Sequence, residues 1–574
     1  MGILRINTKE KKFNFEEPSK DLAGLGGRAL TSKMVLDEVP ATCHALSKFN
    51  KLIFAPGLLS GSPAASSGRL SAGSKSPLTG GIKESNSGGL VAQKLARLGI
   101  GAIVLEDKPE EDGYSLIVVK KDSVEILSAE EYAGKGTYEV MESLWEKYGK
   151  NTGVLCIGQA GEQCLKAASI QQADMSGRPG RALGRGGLGA VMGSKKIKAI
   201  VIDDSDASRL EMKDKQAFKT ANKRWVQMLK EHPVSGEGLP AFGTAVLVNV
   251  VNEAGGFPTK NFREGRFEHA SEISGEKIAE VIEARGGVTT EGCHPGCTMK
   301  CSNVYNDKDG KVLTTGFEYE TIWAMGAHTL IKDIDDIAML DRLCDDFGLD
   351  TIETGVAIGI AMEGGMLEWG DGKAAIDLLQ KVGQKTYEGK ILGNGAKFMG
   401  DTLGVDRIPV AKNQSLPAYD PRVIKGVGVT YATSPMGGDH TAGYAVTANI
   451  LGVGGNIDGL KKEGNVELSQ GLQIATAAID AAGLCVFVAF AVLDNEDGVQ
   501  TICDMLNAQY GLSLTPDDVV ALGKSILKNE VEFNRKAGLT KIDDQLPEMF
   551  EEKLPPHNAT WGFTIDELQQ TMNF

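Results

Sequence analysis

The chain is short of positive charge: 61 Lys and Arg face 76 Asp and Glu, a net −15. Non-specific nucleic-acid binding needs a basic face, so no nucleic-acid partner is expected. Met1–Phe15 has neither an apolar core nor a small-residue cleavage site, so no secretory signal is read. Gly2 is not followed by the Ser or Thr that myristoylation requires. The run Ile474–Leu493 is apolar enough to raise the question of a membrane span, but Asp480 lies inside it and Gly483 punctuates it. A carboxylate at mid-bilayer costs about 3 kcal/mol, so a buried helix pair is expected there and no membrane insertion. Nine cysteines, an odd number, argue against a disulfide framework and for a cytoplasmic protein. No repeat with a fixed period of about 20–50 residues is present.

Glycine, by contrast, is abundant: 72 in 574 residues, against an ordinary share of about 7%. It clusters in short tracts between apolar runs, where backbone must turn or approach a ligand closely. A chain of this length exceeds one hydrophobic core. We read an α+β protein: a strand-rich domain over residues 1–207, then two mainly helical domains over 208–408 and 409–574. Ile100–Val104, Tyr114–Val119, Val154–Ile157 and Ile197–Ile202 read as strands. Further on, Phe218, Ala221, Trp225, Met228 and Leu229 share one helical face, as do Ile337, Leu340, Cys344 and Phe347. A looser tract covers Pro409–His440.

Cys293, Cys297 and Cys301 form C-x3-C-x3-C around a Pro295–Gly296 turn. Soft thiolates so close together suit an iron–sulfur cluster or zinc, with His294 as a zinc ligand in the second case. The spacing alone leaves both open. A [4Fe–4S] cluster needs a fourth ligand.

The pattern D-x-x-G-L-[D/C] occurs twice, at Asp345–Asp350 and Asp480–Cys485. Each copy follows a helical pattern, so its Gly reads as a left-handed helix terminator. In the first copy Asp350 opens the next helix, with Glu353 placed for a capping box. Each motif aspartate is then held at a helix end, where a carboxylate can accept paired hydrogen bonds from an amino-pyrimidine edge. Two ordinary helix–Gly–helix junctions are the plain alternative. Cys485, at the end of the second copy, is the candidate fourth thiolate.

Together with Ser66–Arg69, Lys75–Gly80, Asn86–Gly89, Gly184–Lys195 and Gly27–Arg28, these motifs resemble the aldehyde ferredoxin oxidoreductase family. The matches run from about residue 24 to 485. The resemblance implies a tungsten (or molybdenum) bis-molybdopterin centre at the domain interface, with Asp345, Asp350 and Asp480 on the pterin rings. It implies Arg69, Asn86, Gly88 and Ala182 at the pterin phosphates and their Mg²⁺, and Cys293, Cys297, Cys301 and Cys485 on a [4Fe–4S] cluster. Backbone N–H groups of Gly tracts suit phosphates. A generic phosphate loop fits less well, since neither G-x-x-x-x-G-K-[ST] nor a strand-anchored G-x-G-x-x-G is present. The family's usual C-x2-C-x3-C is one residue longer here, and Glu291–His294 is poorly placed for the E-x-x-H iron bridge of some members.

The implied reaction oxidises an aldehyde to an acid with water and passes electrons to ferredoxin or a ferredoxin-like iron–sulfur subunit. Assembly of the chain with itself or with such a subunit is compatible with it. Glu320, His440 and Tyr319 resemble active-site positions: Glu320 as base or water-orienting group, His440 as donor to the substrate oxygen, with Glu318 as an alternative carboxylate. The competing readings are a same-family low-potential reductase of an activated acid and a zinc-stabilised binding or scaffold protein.

Overall fold

The computed structural model describes residues 1–208 and 210–574. Among these, the first two hundred residues form two six-stranded sheets. In chain order the strands are β1 (Gly2–Asn7), β2 (Lys12–Glu16), β3 (Leu52–Pro56), β4 (Leu70–Lys75), β5 (Ile82–Ser87), β6 (Ile100–Glu106), β7 (Ser115–Val119), β8 (Val124–Ser128), β9 (Gly153–Cys156), β10 (Ile170–Gln172), β11 (Arg181–Leu183) and β12 (Ile197–Ile202). The sheet orders are β2-β1-β6-β3-β4-β5 and β11-β10-β9-β12-β7-β8. Each contains one parallel pair, β1–β6 and β7–β12, within otherwise antiparallel neighbours. Leu4, Phe54, Ile103 and Leu105 of the first sheet share a core with Ile117, Leu155, Ile200 and Ile202 of the second. The apolar alternation of these strands thus closes the two sheets on each other.

The remainder is mainly helical, and the elements that bear on function are α1 (Gly27–Glu38), α2 (Lys215–Glu231), α3 (Tyr319–Met325), α4 (Ile334–Phe347), α5 (Thr351–Glu363), α6 (Asn465–Ala482), α7 (Val488–Leu493), α8 (Gly498–Tyr510) and α9 (Pro516–Lys536). The two faces read by period are buried: Phe218 through Leu229 on α2 and Ile337 through Phe347 on α4. Ile474–Leu493 is two helices, α6 and α7, broken at a left-handed Gly483 (φ 78°). Another helical stretch, Val234–Glu253, is long and apolar enough to cross a membrane by length and composition. Here Leu239, Val246, Leu247 and Val250 line a cavity instead.

Four features differ from the sequence reading. The glycine-rich tract 66–89 contains the β4–β5 hairpin, whose Ser71, Ser74, Lys75, Lys83 and Glu84 are buried. These polar side chains read as loop because the ligand-facing edge of a sheet does not alternate with solvent. A three-stranded sheet, Val288–Glu291, Ser302–Asn306 and Val312–Thr315, lies within the helical region. The looser tract contains a helix, Lys425–Thr433. Finally, no capping box forms at α5. Asp350 caps it by accepting from the Ile352 N–H at 3.0 Å, but Glu353 accepts from Ala396 and Ser415 N–H, each at 2.9 Å. Those two buried donors have no nearer acceptor, and they win the carboxylate.

Candidate active site

Both D-x-x-G-L motifs build the same junction. At the end of α4, Gly348 N–H donates to Asp345 O at 3.2 Å and Leu349 N–H to Cys344 O at 2.8 Å. At the end of α6, Gly483 N–H donates to Asp480 O and Leu484 N–H to Ile479 O, each at 3.2 Å. This is the paired helix-terminating pattern that requires a left-handed residue, and Gly348 (φ 72°) and Gly483 supply it. Each junction is clasped by a different sheet. A Cβ on Gly57, after β3, would lie 2.1 Å from Gly483 Cα, and one on Gly158, after β9, would lie 2.3 Å from the Phe347 carbonyl. Only backbone fits at either contact.

Between the junctions lies a cavity of about 570 Å³. Asp345, Asp350 and Asp480 line it, together with Arg69, Asn86, Gly88 and Ala182 from the sheet edges. Arg69 Nε donates to Asn86 Oδ1 at 2.6 Å. The cation–carboxylate balance of the two junctions differs. Asp480 meets Arg28 of α1 at 3.2 Å, and Arg28 also meets Glu530 of α9 at 2.8 Å. Asp350 meets Arg185 at 3.2 Å. Asp345 instead neighbours a second acid, Asp341; burial first, and then that charge, push its carboxyl well above the ordinary range.

At one end of the cavity, the Cys293, Cys301 and Cys485 thiols line the wall, and Cys297 stands beside them. Each of the four lies within the electrostatic reach of others in the set. The loop 63–66 ties them: Ser66 N–H donates to Gly296 O at 3.0 Å and Cys485 N–H to Ser66 O at 2.9 Å. The longer first gap of the cysteine motif is taken up by Gly296 in a left-handed turn (φ 85°). His294 is also near, its ligand atom within 4.8 Å of those of Cys293 and Cys297. Glu291 pairs with Arg178 at 2.5 Å.

Glu320, on the first turn of α3, and His440 face each other at 3.2 Å (Oε1 to Nε2). The other Glu320 oxygen accepts from the Ala418 N–H at 3.0 Å. Burial pushes the Glu320 carboxyl up to about 8 and the His440 imidazole down to about 4, so both are neutral at pH 7. Tyr319 lines the same wall, but its hydroxyl donates to Ala418 O at 3.0 Å, so it fixes the loop segment whose Ala418 N–H holds Glu320. Glu318 turns instead to Thr244 Oγ1 at 2.5 Å and Arg181 at 3.7 Å. Beyond this pair the wall is apolar, with Leu239, Leu247, Phe487 and Phe490. Among the described residues, Arg181 Nε, Thr315 Oγ1 and His440 Nδ1 are buried at this cavity without a hydrogen-bond partner, and Glu320 Oε1 has only its 3.2 Å contact with His440 Nε2, which is not aligned as a hydrogen bond. Native interiors rarely leave such atoms unpaired unless a ligand takes them.

The sequence reading did not single out Lys83, Glu84, Arg181, Arg185, Tyr419 or Tyr444, which also line the cavity. Burial works to raise Asp439, yet the cations of Lys83, 2.8 Å away, and Arg185 overcome it and hold that carboxylate well below the ordinary range. Lone charges in strand or glycine-rich context carry no periodic signal that separates them from surface.

A cavity that joins a thiol cluster to a buried acid–imidazole pair is the arrangement expected of an oxidoreductase, which must move both electrons and protons. The comparisons with known proteins agree. Residues 3–204 match the model of the aldehyde ferredoxin oxidoreductase N-terminal domain, and residues 220–573 that of domains 2 and 3. Tungsten-containing aldehyde ferredoxin oxidoreductases of Thermococcus kodakarensis and Pyrococcus furiosus are 37% and 36% identical, over 98% of this chain and 93% of each relative. The WOR-like subunit of an aliphatic sulfonate oxidoreductase of Pyrococcus furiosus is 26% identical, over 90% of this chain and 82% of its own. Among solved structures, the active-site complex BamBC of benzoyl coenzyme A reductase shares the fold, with a TM-score of 0.79 at 20% identity, over 99% of this chain and 92% of that one. The chain belongs to the aldehyde ferredoxin oxidoreductase family and is an oxidoreductase.

Proposed function

We propose that the protein oxidises aldehydes to carboxylic acids with water at a tungsten (or molybdenum) bis-molybdopterin centre, passing electrons through a [4Fe–4S] cluster to ferredoxin or a partner iron–sulfur subunit. The observation that carries this reading is the Glu320–His440 pair, buried and unsatisfied, on the same cavity as four gathered thiols.

The residues present fit the groups. Four sulfurs from two distant segments favour a cubane over zinc, for which Cys293, His294 and Cys297 alone form an incomplete set. The cavity lies within the roughly 300–1,000 Å³ of ordinary cofactor sites. Asp345, Asp350 and Asp480 would hold the pterin rings, and Arg69, Asn86, Gly88 and Ala182 the phosphates with Mg²⁺. The metal, when bound, supplies a Lewis acid and a two-electron sink.

The chain does the rest. His440 donates to the carbonyl oxygen of the aldehyde, and Glu320 takes the proton as a water oxygen adds to the carbonyl carbon. Ala418, fixed by Tyr319, keeps Glu320 aimed. The apolar wall excludes water and receives the hydrocarbon part of the substrate, so alkyl and aryl aldehydes should outcompete phosphorylated ones. We place the protein in a reducing, cytoplasmic setting, where thiolates stay free to bind a cluster.

The test is anaerobic purification, metal quantitation and viologen reduction by a panel of aldehydes. About four irons and one tungsten or molybdenum per chain, with aldehyde-dependent dye reduction, are expected. Zinc without iron, or a loaded protein that no aldehyde reduces, overturns the reading.

A further inference from the structure

Helix α2 presents a flank that the catalytic cavity does not use. At 100° per residue, Lys215, Lys219, Lys223 and Lys230 fall on one side, next to Asn222 and Val226 and away from Ala217 and Arg224. All four lysines are exposed. Among the described residues none of them has an ion-pair partner, whereas Arg224 on the other flank pairs with Asp504 of α8. A run of unopposed cations is out of character for a chain carrying −15.

The flank adjoins the thiol pocket. Asn222 Nδ2 donates to Pro63 O at 3.0 Å, its Oδ1 accepts from Ala65 N–H at 3.2 Å, and Trp225 Nε1 donates to Ala65 O at 2.9 Å. The next residue, Ser66, contacts both Gly296 and Cys485 through the backbone. One loop therefore separates the lysine helix from the thiols. On the far side of that loop Pro295, Gly296 and Lys300 are exposed, and Lys300 also has no ion-pair partner among the described residues. Cys297 is half-buried while Cys293, Cys301 and Cys485 are buried, so the thiol group comes nearest to solvent beside these five lysines. The loop 57–69 contributes no acid to offset them.

We propose that this face docks an acidic one-electron carrier, a small iron–sulfur protein, which draws electrons from the four-cysteine group. The inference rests on the function proposed above and adds the surface through which the electrons leave. Oxidising one aldehyde with one water to the acid releases two electrons and two protons. Two carriers therefore dock in succession, each reduced by one electron, while the protons pass to water. Opposite charge accelerates such encounters and salt weakens them.

The experiment compares the holoenzyme with K219E/K223E and K300E variants, and with a K121E/K311E control in which two other exposed lysines are reversed. The probes are a small acidic ferredoxin, reduced at the expense of an aldehyde, and a viologen dye. At low salt, K219E/K223E should raise the KM for ferredoxin by about tenfold and flatten its salt dependence. Its viologen rate should match wild type, and the control should match wild type with both acceptors. Calorimetric titration with ferredoxin needs no turnover and should show binding to wild type and its loss in K219E/K223E. Equal ferredoxin KM, salt dependence and binding in wild type and K219E/K223E overturn the proposal. If no aldehyde reduces dye or carrier, the functional reading fails, and the titration still decides whether the face binds.

Discussion

Glu320 is a carboxyl that burial keeps protonated near neutrality, and two consequences follow at the scale of one residue. As a base it works only after losing its proton, so kcat/KM should rise with pH through about 8. Glu320→Gln should lower kcat by about 10²–10⁴ and remove that limb, measured as dye reduction against pH. The same group affects stability with a definite sign. Its folded value of about 8 lies above the unfolded value of roughly 4.3, so the penalty is absent below pH ~4, grows between the two, and is complete above ~8. Cofactor-free Glu320→Gln should therefore gain stability over wild type in alkaline solution and show no gain at pH 4, by denaturant melts at both pH values. Arg28 behaves oppositely. It holds Asp480 and Glu530 together in a buried triad, and Arg28→Met should cost about 3–5 kcal/mol by leaving two acids uncompensated. A denaturation midpoint unchanged in Arg28→Met would contradict this. At this scale the cysteines and motif aspartates were legible because each sat in a pattern, while Glu320 and His440 were reached only through the family resemblance. The sequence hid Lys83, Arg181 and Arg185, because a single cation in a strand or a glycine tract looks the same whether it meets water or a cavity.

The elements were readable where periodicity survives. The β6 and β12 runs and the buried faces of α2 and α4 follow from alternation or a 3.6-residue period. The β4–β5 hairpin was not readable, since its inward residues are Ser, Lys and Glu. The capping box at α5 failed for a related reason: Glu353 answers two distant N–H groups that no local rule can see. The junctions give the sharpest prediction of this kind. Gly483 is left-handed, and a Cβ there would meet Gly57 Cα and Ser60 Oγ at 2.8 Å. Gly483→Ala should cost about 1–3 kcal/mol and, by shifting Cys485, lower the iron content of the purified protein. Full iron loading in a destabilised variant would uncouple the junction from the thiols.

At the scale of the whole molecule, strand-rich and helical parts meet around a cavity whose walls carry acids, bases and thiols, and pack beside it through apolar clusters such as Leu59 and Ala65 against Trp225 and Ile479. Groups that satisfy those walls bind the folded state alone, so the loaded protein should melt at a higher temperature than the cofactor-free chain. Calorimetry of the two forms tests this, and equal melting temperatures would deny the cavity its share in holding the parts together. Charge organises the same molecule: the bulk is acidic, while Lys215, Lys219, Lys223, Lys230 and Lys300 lie without ion-pair partners, among the described residues, on the face where the thiols approach solvent.

The glycine-to-glycine clasps have a further consequence for how freely the protein can vary. Gly57, Gly158, Gly348 and Gly483 touch through main chain, with room for no side chain of any chemistry. In a library with every position randomised, selection for a folded, metal-loaded product should return a single letter at these four columns. The exposed Lys121 and Lys311 should meanwhile drift through most of the alphabet.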